Sequence, residues 1–240
     1  MPNSDDPVIV ERLPSRASSG YQAIVDHLRR EFMLGRLRVG DRLPAERRLA
    51  EHLGVARETL RQALRVLEGS GQIVVTRGAR GGAIVQASIV DPLRIRADVE
   101  SLADSIIPLT EYRSIIEGAA AALAAARRTD HDLSTMSAAQ DELLSSSALD
   151  DCRQADTRFH LAIATAAQNP VLADSIADAR VKMFETVDLL SFTFIKESSH
   201  GAHAAILDAV RAGDAAAASA AMQSHLIVTR AEFQRVLDER

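Results

Sequence analysis

Residues 40–67 read GDRLPAERRLAEHLGVARETLRQALRVL, and the fold of the first third of the chain follows from them. Pro44 stands where a helix can begin, because a first helical residue has no intrahelical use for its N–H. Leu49, Ala50 and Leu53 follow at helical spacing, and Gly54 is placed to end the helix in the left-handed conformation. A short helix over about 44–53 is expected. After the Gly54-Val55 turn, Leu60, Leu64 and Leu67 mark the buried stripe of a further helix, stopped by Gly69 and Gly71. Upstream, Tyr21, Ile24, Val25, Leu28 and Phe32 form one apolar face of a helix starting near Ser18, with Gly35 and Gly40 closing it and opening a turn. Three helices with a tight turn between the last two make a helix-turn-helix. Ile73–Val75 and Ala83–Val85 are β-favouring runs joined by a glycine- and arginine-rich turn, which predicts a two-stranded wing.

Such a fold places the N-terminal end of its second helix in the DNA major groove. Arg57 and Arg61 are four residues apart and so share one helix face, opposite the leucines. An arginine fork can donate two hydrogen bonds to guanine, discriminating by about 1–3 kcal/mol. Arg47, Arg77 and Arg80 are placed to reach phosphates or the minor groove. An arginine-rich face is often only a solvated one, but the charge distribution argues against that here. Residues 16–87 hold 13 Arg, no Lys and 7 acidic residues, a net of +6, whereas residues 88–240 carry a net of −9. A basic unit followed by an acidic one points to nucleic-acid binding in the first and a different task in the second.

The composition, 240 residues with 47% hydrophobic and 25% charged, excludes a mostly disordered chain and allows two domains. Cys152 is the single cysteine, so no disulfide forms within the chain and a reducing, cytoplasmic setting is expected. No signal-like start or bilayer-length apolar run occurs, so no membrane association is expected. Residues 1–17 read as a polar arm, 18–87 as the winged helix, 88–97 as a linker around Asp91-Pro92, and 98–240 as an all-α bundle for effector binding and dimerisation. Pro108, Asp130, Asp150, Asn169-Pro170, Glu197 and Gly213-Asp214 punctuate that bundle into six or seven helices. In Asn169-Pro170, Asn is the cap and Pro the first helical residue. The alanine run 119–126 suits a buried, closely packed helix. The fold class is therefore mostly α: an N-terminal winged helix-turn-helix plus a C-terminal helical bundle.

Within the bundle, Asp156 and His160 lie one helical turn apart on one face. His203 and His225 lie 10 and 12 residues from Gly213 on either side, so two antiparallel helices would bring them to nearly the same level. Three imidazoles and one carboxylate suit a borderline divalent metal, zinc first, with nickel, manganese or iron also fitting. The occupied site would keep a charge of +1 and attract a small anion such as a carboxylate. For a single histidine, a hydrogen bond within the bundle is the commoner role, and His27, His52 and His131 are read so. His200 is read as a surface residue or one adjoining the ligands.

The run Gly40–Ala50, then Gly54–Leu64, Leu67 and Gly71, resembles the winged helix of the GntR family of bacterial transcription regulators, over about residues 18–87. That resemblance implies operator contacts from Arg47, Arg57, Thr59 and Arg61, and minor-groove entry by Arg77 and Gly78 of the wing. The stretch departs from the family pattern at Ala56, where serine or threonine is usual and would cap the helix, and at Glu58, where a small hydroxyl residue often sits. Residues from about 98 to 236 resemble the all-helical FCD effector domain of the FadR subgroup. That likeness implies a metal held by Asp156, His160, His203 and His225, and an effector carboxylate held by Arg113, as guanidinium–carboxylate pairing would favour. An exposed ion pair from Arg113 to Glu117 is the weaker reading.

The expectation is a homodimeric, ligand-responsive regulator, a repressor, that binds double-stranded DNA at an inverted-repeat operator and is not an enzyme. Its effector would be a small carboxylate, or alternatively an acyl ligand lying on apolar helix faces above a structural metal. Two other classes stay open: a metalloenzyme with an appended DNA-binding domain, and an architectural DNA binder without sequence preference. The absence of a nucleophile motif, and of an acid spaced beside the ligands as a general base, weighs against the metalloenzyme. The large acidic bundle, which adds nothing to phosphate binding, weighs against the architectural reading.

Overall fold

The computed structural model describes residue 10 and residues 20–76, 82–86, 99–186 and 192–238. The chain divides into two compact units, Met1–Asp91 and Pro92–Arg240.

The first unit carries helices α1 (Tyr21–Met33), α2 (Glu46–Leu53) and α3 (Arg57–Gly69), then strands β1 (Ile73–Thr76) and β2 (Gly82–Val85). The strands pair antiparallel, from Ile73 with Val85 to Thr76 with Gly82. The predicted stripes meet inside: Ile24, Val25, Leu28 and Phe32 of α1, Leu49 and Ala50 of α2, and Leu60, Ala63, Leu64 and Leu67 of α3 are buried. Tyr21, expected on that face, is exposed because α1 begins there, after Gly20, rather than at Ser18. Helix α2 likewise starts at Glu46, not Pro44, since Ala45 keeps an extended ψ of 140°. Gly54 ends α2 in the left-handed region, with φ of 70°. Residues 40–43 do more than turn. Leu43 N–H donates to the Ala83 carbonyl at 2.8 Å and Val85 N–H to the Asp41 carbonyl at 3.0 Å, so this segment is tied to β2 through an isolated antiparallel bridge between Arg42 and Ile84. The arm, the wing tip with Arg77, Gly78 and Arg80, and the proposed linker 88–97 lie outside the described residues.

The second unit contains, among the described residues, six helices: α4 (Val99–Arg127), α5 (Asp130–Ser145), α6 (Leu149–Ala166), α7 (Pro170–Thr186), α8 (Phe192–Ala212) and α9 (Ala215–Asp238). Several predicted helix starts carry visible caps. Thr129 and Asp132 form a reciprocal capping box before α5. Asn169 Oδ1 accepts from Leu172 N–H at 3.2 Å, with Pro170 opening α7. Asp214 Oδ1 accepts from Ala217 N–H at 2.9 Å after Gly213, whose φ is +76°.

Two predicted breaks are not breaks. Pro108 lies inside α4, where its missing N–H leaves one turn short of a bond. Nearby burial offsets that cost: Ile106 and Thr110 are both buried, and the Thr110 hydroxyl donates to the Ile106 and Ile107 carbonyls at 3.0 and 2.8 Å. Glu197 lies within α8, where a glutamate is a good helix former.

Ala120, Ala121, Ala124 and Ala125 of α4 are fully buried against Phe159, Ile163, Ile206, Met222 and Leu226, so the alanine run does allow close helix packing. A second apolar cluster gathers Ile106, Leu143, Cys152, Met183, Ile195 and Phe233. Among the described residues no helix is long and apolar enough to cross a membrane.

Candidate functional sites

In the first unit, α3 presents Arg57 at its first turn, exposed and without an ion pair among the described residues. Arg61 shares that face, as its spacing required, but is held by two carboxylates, Glu58 at 3.2 Å and Glu46 of α2 at 3.5 Å. Glu58 is thus exposed and also orients Arg61. Arg47 is exposed on α2 and pairs with Glu51 at 3.3 Å. Thr59 is half-buried. Ala56 is the N-cap of α3 and supplies no side-chain cap.

In the second unit, one ligand atom from each of Asp156, His160, His203 and His225 can lie within 4.8 Å of all the others. Helix α6 delivers Asp156 and His160, α8 delivers His203 and α9 delivers His225. The ring centroids of His160, His203 and His225 form a triangle with sides of 5.0–5.3 Å. The level matching inferred from the two-sided spacing about Gly213 is therefore real. Phe159 stacks on His203 with centroids 3.9 Å apart and fixes its plane. His27, His52, His131 and His200 stand outside this group.

The donor set fits a metal ion by its own chemistry. His160 Nε2, His203 Nδ1 and Nε2, and His225 Nδ1 are buried with no hydrogen-bond partner, and buried polar atoms left so cost roughly 1–3 kcal/mol each. One nitrogen from each ring, gathered with an Asp156 oxygen, faces a position where a single cation would satisfy it. Burial holds His160 and His203 below the ordinary histidine value and His225 at about 3, so the rings are neutral, as ligands must be. Burial alone would raise Asp156, but the Arg180 guanidinium beside it holds it well below the usual carboxylate range.

Sequence reasoning missed the groups around the ligands. Glu117 of α4 bonds His160 Nδ1 with one oxygen and accepts from Arg113 Nε at 2.5 Å with the other. Burial opposes its ionisation, and Arg113 and His160 outweigh that, keeping it ionised. The Arg113–Glu117 pair is therefore buried rather than exposed, which corrects the reason given for setting it aside. Arg180 of α7 bonds Asp156 Oδ2 and donates to Thr157 Oγ1 at 2.7 Å, while Ser199 donates to Asp156 Oδ1 at 2.9 Å. Arg113 remains a candidate anion receiver, since its Nη2 is buried without a hydrogen-bond partner.

A cavity of about 40 Å³, open in part to solvent, adjoins this cluster. Arg113, Arg153 and Arg180 line it together with Asp156 and His225, while Met183, Phe194, Ile195 and Phe233 supply apolar walls.

Comparison with known proteins accords with both halves. The family described as "Bacterial regulatory proteins, gntR family" matches residues 20–85, and the FCD domain matches residues 108–227. The "Putative L-lactate dehydrogenase operon regulatory protein" of Escherichia coli (strain K12) is 33% identical over 248 residues, covering 95% of this chain and 89% of that protein. The HTH-type transcriptional regulator LutR of Bacillus subtilis (strain 168) is 31% identical over 201 residues, covering 80% and 91%. Among solved structures, E. coli McbR/YncC shares the fold with a TM-score of 0.55 at 20% identity, covering 91% of this chain and 98% of that one.

Proposed function

Because the chain belongs to the GntR family of bacterial regulatory proteins and carries an FCD domain, a DNA-binding transcription regulator with a ligand-responsive domain, we propose that it is a repressor controlled by a small carboxylate bound over a divalent metal. The observation that carries this reading is the convergence of three neutral imidazoles and Asp156 beside an arginine-lined cavity.

Asp156, His160, His203 and His225 would hold the metal, zinc by preference for this ligand set. When bound, the ion supplies a positive centre for an anionic ligand. Arg113 would receive the acid through its buried, unpartnered Nη2. A relative named for an L-lactate dehydrogenase operon accords with a small acid as effector. Three arginines around the cavity favour that class over a long acyl ligand. Regulation is favoured over catalysis: Glu117, the carboxylate beside His160, is already engaged by Arg113 and His160 and is a poor general base. The chain is proposed to act in the cytoplasm as a homodimer on an inverted-repeat operator, reading bases with Arg57 and Arg61, supported by Thr59, and meeting the backbone with Arg47 and the wing residues Arg77 and Gly78.

Elemental analysis of the purified chain and of His203→Ala tests the site. One metal per chain, lost in the variant with the winged helix still folded, is expected. Unaltered stoichiometry would remove His203 from the ligand set.

A further inference from the structure

We infer that Glu58 is a base-reading residue, accepting a hydrogen bond from the amino group of a cytosine in the major groove, with Arg61 as the residue that positions it. The inference rests on the reading of α3 as the DNA-recognition helix, and goes beyond it by adding a specificity determinant and the base it selects.

Helix geometry is the first argument. The buried stripe of α3 is Leu60, Ala63, Leu64 and Leu67. At about 100° per residue, Glu58 lies roughly 170° round the helix from the middle of that stripe, against roughly 110° for Arg61 and roughly 70° for Arg57. The carboxylate, rather than either arginine, therefore points most squarely away from the core. It stands on the first turn of α3, the part of a recognition helix that meets base edges. Its side chain is 73% exposed, against 42% for Arg61.

The second argument is how the side chain is held. Arg61 Nη1 donates to Glu58 Oε2 at 3.2 Å, and Arg61 Nε pairs with Glu46 Oε2 at 3.5 Å. An exposed pair within one helix fixes little by itself. Glu46 stands on α2, so Arg61 has a second anchor outside α3. Glu58 is thereby oriented before DNA arrives, which lowers the ordering cost of a base contact. Its Oε1 accepts no hydrogen bond among the described residues.

Charge then selects the base. Glu46, Arg61 and Glu58 together carry −1, so the group adds nothing to the attraction between a protein and phosphates. An ionised carboxylate can only accept hydrogen bonds. In the major groove guanine offers it the acceptors O6 and N7, thymine the acceptor O4, and adenine an amino group beside the N7 acceptor, whereas cytosine offers its N4 amino group alone. Cytosine is the base whose edge meets a carboxylate without a facing lone pair.

Binding of the full chain to a site selected from random DNA, and to the single-base variants of that site, tests this at one salt concentration for the wild type, Glu58→Ala and Glu58→Gln. A cytosine is expected at one position of each half-site, preferred by about 5- to 100-fold over the other bases. Glu58→Ala should abolish that preference. Glu58→Gln, whose amide both accepts and donates, should move it to adenine. Affinity for random-sequence DNA should rise in both variants, because a negative charge is removed. A cytosine preference untouched in both variants, or variants that relax only a guanine position, overturns the inference and leaves Glu58 as a support for Arg61 or a partner of the helix dipole. A wild-type chain that selects no sequence at all instead overturns the reading of α3 on which the inference rests.

Discussion

Glu117 on α4 holds His160 on α6 by its Nδ1, across 43 residues of sequence, leaving the buried Nε2 of the same ring turned to the other ligands. A carboxylate in this position fixes the ring's tautomer and orientation and strengthens it as a ligand. The other Glu117 oxygen takes Arg113, so one side chain ties the proposed acid-receiving arginine to a proposed metal ligand. Glu117→Gln should weaken metal binding about 10- to 100-fold, measured by competition with a chelator. Unchanged affinity would reduce Glu117 to a partner of Arg113 alone.

Arg57→Ala should lower affinity for a DNA site selected from random sequence by about 10- to 100-fold at fixed salt, the loss of one bidentate base contact. Metal content should stay intact, because Arg57 lies in the other unit. Arg61→Ala is a mixed test, since Glu46 and Glu58 also lose their partner. A salt slope reduced with the specificity ratio untouched would make Arg57 a phosphate contact instead.

Ala56 leaves the first turn of α3 without a side-chain cap. Ala56→Ser should stabilise the first unit by roughly 1 kcal/mol in urea unfolding. No gain in the midpoint would mean that another group already satisfies that turn.

Acid should destabilise the metal-free second unit. Burial keeps His225 at about 3 against an ordinary 6.5, and lowers His160 and His203 too, so the unfolded chain takes up protons first as pH falls below about 6.5. Asp156 and Glu117, both held low, add to the loss as pH falls through the ordinary carboxylate range. Bound metal should steepen the dependence, because protons compete for the imidazoles. Urea midpoints compared at about pH 7 and pH 5 check this; equal values contradict the neutral, buried cluster.

The clustering of Asp156 with three histidines and the winged helix were legible because both rest on local spacing: Asp156 and His160 one turn apart, the leucine stripe of α3, and two histidines nearly equidistant from Gly213. Their surroundings were not. Arg153, Arg180, Ser199 and Glu117 reach the site from four different helices, and no local period links a side chain on α7 to one on α6. Glu117 could be weighed only against its own-helix neighbour Arg113, which concealed its bond to His160. Pro108 and Glu197 misled because intrinsic propensity is a weak prior beside burial of the surrounding turns. The bridge of residues 41–43 to β2 has no alternation in the sequence to announce it, since it arises from tertiary pairing alone.

The most direct test measures affinity of the zinc-loaded chain for its selected DNA site, at one salt concentration, with and without a carboxylate already known to bind. A fall of about 5- to 150-fold, abolished by chelation and in His203→Ala, is the predicted result. An acid that saturates the second unit and leaves DNA affinity unchanged would contradict the account.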